Sequence, residues 1–129
     1  MELRLVLTVD DFEEALAFYR DALGLPEREA WQSEGEDARI AILDAGRATL
    51  ELVNEAQAAA IDRIEVGERV AGPVRIAFEV DDSEAVARRL LEAGAELLAA
   101  PVTTPWNDRN VRLRAPDGMQ LTLFSPLGE

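Results

Sequence analysis

An α+β fold is expected for this chain: two βαβββ modules forming one cup-shaped, mostly antiparallel sheet with helices on its outer face. The expectation rests on an internal repeat, on an alternating apolar strand that opens each copy, and on an acidic cap with a helical run directly after each such strand. RLVLTVDDFEEAL from Arg4 lies on RIAFEVDDSEAVA from Arg75, an offset of 71 that sets Val9–Asp10–Asp11 on Val80–Asp81–Asp82. The same offset lays TLELV (Thr49 to Val53) on QLTLF (Gln120 to Phe124), matching Leu50 to Leu121 and Leu52 to Leu123. Two separate segments that agree on one offset indicate a duplicated module. A module over 1–66 and another over 73–129, joined by 67–72, make a single domain of 129 residues.

The elements follow in order. Leu3, Leu5, Leu7 and Val9 alternate with Arg4, Val6 and Thr8, the period-2 pattern of a strand with two different faces. Asp10 or Asp11 caps the next segment, with Glu13 and Glu14 at the positive end of the helix dipole. Phe12, Ala15, Leu16, Tyr19 and Leu23 recur at helical spacing until Gly24 and Pro26 stop the helix; Phe12, Phe18 and Tyr19 read as packing residues. Strands are expected around 27–34, 38–44 and 47–53, with Asp44–Ala45–Gly46 as a hairpin turn and Trp31 as core or wall. A short helix over Glu55–Asp62 precedes the connector, where Asp62 and Glu65 have no orientation fixed by the sequence. In the second module Val74, Ile76, Phe78 and Val80 alternate, Asp81 or Asp82 caps a helix using Val86, Leu90 and Leu91, and Gly94 ends it. A strand near Glu96–Ala100, a loop Pro101–Asp108, and strands around 109–114 and 119–124 about the turn Ala115–Gly118 complete the plan. The acidic runs Asp10–Asp11 and Glu34–Gly35–Glu36–Asp37 read as caps and solvated surface.

Composition excludes whole classes of chemistry. The chain has no His and no Cys, so Ser–His and Cys–His catalysis, thiolate metal sites and disulfides are out. Thirteen Lys and Arg against twenty-six Asp and Glu give a formal charge of −13, which argues against nucleic acid and anionic membranes as partners. No apolar run approaches the roughly 18 residues of a membrane span, and the N-terminus lacks the pattern of a signal peptide, so a cytoplasmic protein is expected.

With the odd-numbered residues of the first strand facing the helices, the opposite face carries Arg4, Val6 and Thr8; Thr49, Glu51 and Val53; Arg75, Ala77 and Glu79; and Gln120, Thr122 and Phe124. That surface is polar at its centre and apolar around it, as in a semi-enclosed ligand cup. Arg4 and Arg75 are equivalent under the repeat, and like charges about 5 Å apart repel by about 3 kcal/mol at an effective dielectric near 20. An anion between them is therefore expected. One reading supplies it from Glu51 and Glu79 as a structural Arg–Glu–Arg network; the other supplies it from a carboxylate, phosphate or enolate ligand. Glu51 is correspondingly either a salt-bridge carboxylate or a general base. Trp106, in the loop from Thr103 to Arg109, either stacks on a ligand at the rim or plugs the domain's own edge.

VDDFEEALAFYRDALGLPE resembles the opening motif of the glyoxalase/bleomycin resistance/dioxygenase proteins, the vicinal oxygen chelate superfamily. The TLEL strand, the RIAFEVDD restart and the closing APDGMQLTLF are similar to that family's later motifs, in the same order along the chain. The resemblance implies paired βαβββ modules and, in metal-dependent members, four ligands converging on the cup. Those positions fall on Arg4, Glu51, Arg75 and Thr122, of which Glu51 alone keeps a ligand type, so no metal and no cofactor is expected. The expected function is metal-independent binding of a small molecule, as in antibiotic or metabolite sequestration, with Arg4, Glu51, Arg75, Thr122, Glu79, Phe124 and Trp106 as binding residues. The alternative is a metal-free lyase or isomerase on a small organic acid or carbonyl compound, with Glu51 as base and Arg4 or Arg75 as oxyanion stabiliser. By the same resemblance the chain is expected to form a homodimer, with the modules paired within one chain or between chains that share each cup, and with edge strands that a lone domain would leave unpaired.

Overall fold

The alternating leucines of the N-terminus form strand β1 (Glu2–Val9), seen in a computed structural model that describes residues 1–33 and 37–128. Glu34, Gly35 and Glu36, read above as solvated surface, lie outside the described residues. Asp11, rather than Asp10, caps helix α1 (Phe12–Leu16), accepting the Glu14 N–H at 3.0 Å. The helix then widens into a π-helical stretch over Ala17–Ala22, closed by the bond from Leu23 N–H to the Phe18 carbonyl. That wider turn breaks the 3.6 periodicity. Phe12 and Leu16 are buried, but Phe18 is 60% exposed, so the expectation that Phe18 packs is corrected here; Leu23, at the end of the helical spacing, is 63% exposed as well.

Strands β2 (Glu27–Gln32), β3 (Arg39–Ala45) and β4 (Ala48–Asn54) follow, with Gly46 at φ 69° in the β3–β4 turn. That backbone conformation favours glycine. Strand β2 is the edge of the sheet, and Trp31 on it is 55% exposed rather than core. Asn54 caps helix α2 (Glu55–Glu65), which runs three residues beyond its expected end. The second half contains β5 (Val74–Glu79), α3 (Ser83–Glu92) capped by Asp82, β6 (Glu96–Leu97), β7 (Val102–Thr103), β8 (Asp108–Arg114) and β9 (Gln120–Pro126). The strand expected over Glu96–Ala100 stops at Leu97, and β7 forms inside the expected loop as a short pair with β8.

The strands join in one sheet in the order β2-β3-β4-β1-β5-β9-β8-β6. Strands β1 and β4 pair parallel, as do β5 and β9, and the other pairs are antiparallel. The halves meet within one chain, through the antiparallel pair β1–β5, where Arg4 faces Ala77 and Val6 faces Arg75. The repeat is visible in the ladders: Val6 pairs with Glu51, and its equivalent Ala77 pairs with Thr122.

Helices α1 and α3 cover the outer face. Phe12 and Leu16 pack on Ala41, Leu43, Leu50 and Leu52, while Ala87 packs with Val80, Val111, Leu113 and Leu123. Helix α2 departs from the expected layering, because it lies on the inner face. Its Ala58 and Ile61 pack against Val6, Val53, Ala77 and Phe124, the apolar wall of the cup.

Candidate functional site

Arg4, Glu51, Arg75 and Thr122 all project onto the inner face from the four central strands, and the ladder registers bring them together. Glu51 lies between the arginines: one carboxylate oxygen is 3.4 Å from Arg4 Nη1 and the other 3.8 Å from Arg75 Nη2. Arg75 Nη1 donates to Thr122 Oγ1 at 2.9 Å. Arg4 also donates to Thr49 Oγ1 at 3.2 Å and to Glu2 at 2.9 Å, and its guanidinium sits 5.1 Å from the centre of the Phe124 ring, a cation–π contact.

A second charged layer hangs from α2. Glu65 accepts from Arg112 Nε, Thr122 Oγ1 and Asn110 Nδ2, each at 3.2 Å. Asp62 accepts from Arg112 Nη1 at 2.8 Å, and its other oxygen takes the N–H groups of Val70 and Ala71 at 2.8 Å each. Arg112 is 1% exposed, Asp62 1% and Glu65 3%, so this cluster is dry. Thr122 links the layers, touching Arg75, Arg112 and Glu65 at once. No carboxylate stands at the fourth position itself, but Glu65 of the connecting helix accepts from the Thr122 hydroxyl there.

Burial sets the electrostatics. It pushes the Glu51 carboxyl above its ordinary value, with Arg75 and Arg4 opposing the shift. It pushes the Arg75 guanidinium down, opposed mainly by Glu65 and Glu51. Burial would also raise Asp62, but the Ala71 and Val70 N–H groups and Arg112 outweigh it and hold that carboxyl low. Beneath α2 remains a cavity of about 10 Å³ lined by Val6, Ala58, Asp62 and Arg75, room for about one water. A second concavity of about 250 Å³ opens on the outer face between α1 and β2, lined by Phe12, Leu16, Trp31 and Arg39.

The remaining sequence candidates sit around this centre. Phe124 is buried and forms wall. Glu79 is half-buried and makes no ion pair among the described residues, so the anion between Arg4 and Arg75 is Glu51 without Glu79. Trp106 is 47% exposed in the turn before β8, with its indole against the Asp108 carboxyl, which burial raises and which lies within reach of the Arg4 and Glu79 charges. Sequence reasoning missed Arg112, and it left Asp62 and Glu65 unplaced. The strand signal was present, since Asn110, Arg112 and Arg114 alternate with Val111 and Leu113; the side of the sheet on which α2 docks with Asp62 and Glu65 was not.

The converging donors do not fit a metal ion. Two are guanidiniums, which hold only N–H donors and stay protonated, and the others are one carboxylate and one hydroxyl. Among the described residues no group of three or more His, Cys, Asp or Glu is placed to hold a metal.

A family model described as Glyoxalase/Bleomycin resistance protein/Dioxygenase superfamily matches residues 3–123. The chain belongs to this superfamily. A hypothetical protein from Bacillus halodurans C-125 is similar in structure, with TM-score 0.70 and 19% identity over 98% of this chain and 94% of that one. A superfamily member from Vibrio splendidus 12B01 gives 0.64 and 15% over 96% and 97%. Streptomyces coelicolor methylmalonyl-CoA epimerase gives 0.67 and 23% over 97% and 96%. At these identities the likeness establishes the shared fold. No curated protein matches the sequence. No helix among the described residues is long and apolar enough to cross a membrane.

Proposed function

We propose that this superfamily member is a metal-independent small-molecule-binding protein of the cytoplasm that sequesters an antibiotic or metabolite in its cup. The observation that carries the reading is the convergence of Arg4, Glu51, Arg75 and Thr122, where a guanidinium fork and a hydroxyl suit an anionic or carbonyl oxygen and repel a divalent cation. Phe124 and Val6, packed here under Ala58 and Ile61 of α2, would supply the apolar wall once that helix gives way, and the exposed Trp106 offers a stacking face. A thermal-shift screen tests it, comparing small carboxylates, phosphates, aromatic and cationic antibiotics, and divalent metals. A ligand at about 100 times its Kd adds roughly 2.7 kcal/mol of stability, and such a shift is expected from an organic compound. A shift with metals alone overturns the proposal.

A second reading, a metal-free lyase or isomerase, draws on one observation: burial raises the Glu51 carboxyl, which suits a general base, with Arg4 or Arg75 placed to steady an oxyanion. Turnover of a bound organic acid or carbonyl compound, abolished in Glu51→Gln while binding persists, would select it.

We also propose a homodimer. Leu3, Leu5 and Val74 are 43%, 37% and 38% exposed on the outer face of the central β1–β5 pair, between the areas covered by α1 and α3. A contiguous apolar stripe in the middle of a sheet suits a second copy.

A further inference from the structure

We infer that helix α2 is an internal anion that can be displaced, and that the cup beneath it takes a short-chain organic dicarboxylate. The inference rests on the binding reading above and names its ligand class. Both carboxylates that hold Arg112 ride on α2: Asp62 at 2.8 Å from Nη1 and Glu65 at 3.2 Å from Nε. With α2 lifted, Arg112 has no other carboxylate partner among the described residues, and Arg75 keeps Glu51 alone. What must be replaced is therefore two carboxylates, one helical turn apart. Both reach one guanidinium, Asp62 at Nη1 and Glu65 at Nε and Nη2, and Arg75 shares Thr122 Oγ1 with it, so a dicarboxylate with a short aliphatic spacer would set one carboxylate on Arg112 and the other toward Arg75. Its spacer would lie against the apolar wall that Ala58 and Ile61 vacate.

Two further observations mark the helix as a replaceable filler. Among the described residues its buried apolar contacts with the cup wall come from Ala58 and Ile61, and the charged contacts of Asp62 and Glu65 complete its hold. The fit is also incomplete: Arg112 Nη2 is buried without a hydrogen bond, although a Glu65 oxygen lies 3.2 Å away, and a void for about one water remains beside Asp62 and Arg75. Asp62 also binds the Val70 and Ala71 N–H groups, so α2 would carry that loop with it and break the 2.8 Å bond from Gln120 Nε2 to the Val70 carbonyl.

Hydrogen–deuterium exchange on the whole chain tests this, with saturating succinate or glutarate as probes and acetate at equal ionic strength as control. Either dicarboxylate should speed exchange across Glu55–Glu65 at least tenfold, and acetate should not. Exchange there that is unchanged or slowed by both dicarboxylates, or matched by acetate, overturns the inference. Glu65→Gln removes one competing carboxylate and should bind succinate at least tenfold more tightly by calorimetry than the parent chain; equal or weaker binding by the folded variant overturns it too. If that variant does not fold, the exchange pattern of the parent chain decides alone. An aromatic or cationic ligand that binds while α2 stays protected would keep the binding reading and remove this one. No response to any ligand removes both.

Discussion

Glu51 and Arg75 show why removing one partner of a buried pair costs more than the pair contributes. Each is desolvated, and each is tolerated because the other, with Arg4, Glu65 and Thr122, meets its charge. Truncating Arg75 leaves buried Glu51 to Arg4 alone, and breaking such a buried pair costs about 3–5 kcal/mol. Arg75→Ala should lower stability by that amount in urea unfolding without any ligand present; a loss below about 1 kcal/mol would mean Arg75 is not part of the internal network. The two sequence readings of the arginines converge on this point, because a guanidinium fixed by its own carboxylate is also preorganised for an incoming anion. Of the site, Arg4, Glu51 and Arg75 were legible because alternation and a gap-free repeat fix which face a strand residue takes. Arg112 was not, since its burial depends on two carboxylates from a helix whose docking face the local sequence leaves open.

At the scale of elements, α2 is where local rules stop sufficing. The strands and the caps at Asp11 and Asp82 follow from alternation and from short polar side chains ahead of apolar runs. The side of the sheet on which α2 packs follows from neither, because Ala58 and Ile61 form a weak apolar face and Asp62 and Glu65 extend it with charge. The π-helical turn after Leu16 is hidden for the same reason: a helical pattern does not reveal one inserted residue, and Phe18 moves outward. Asp62 gives α2 a pH signature. Its carboxyl is held below the ordinary value, so its contribution to stability is complete above about pH 4 and is lost as pH falls through the lowered value. Glu51 acts with the opposite sign, since a raised carboxyl loses stability as pH rises through its folded value. Asp62→Asn should therefore be less stable at neutral pH and should show a flatter acid limb in urea midpoints below about pH 4. An acid limb as steep as the parent's would remove Asp62 from the account.

For the whole molecule, the duplicated ladder places β1 and β5 side by side, so one chain completes one cup without a partner's strands. The outer face of that central pair is what remains for association. Light scattering should find a dimer for the parent chain and a monomer for Leu5→Lys; a monomeric parent removes the proposed interface and leaves the cup untouched.

The proposal that the cup binds no metal rests on the ion-pair network of Arg4, Glu51, Arg75 and Thr122, extended through Arg112 to α2. Calorimetric titration of the chelator-treated chain with manganese, nickel and zinc ions tests it most directly. The account predicts no stoichiometric binding by any of the three. One ion bound per chain, with that binding lost in Glu51→Gln, would contradict it.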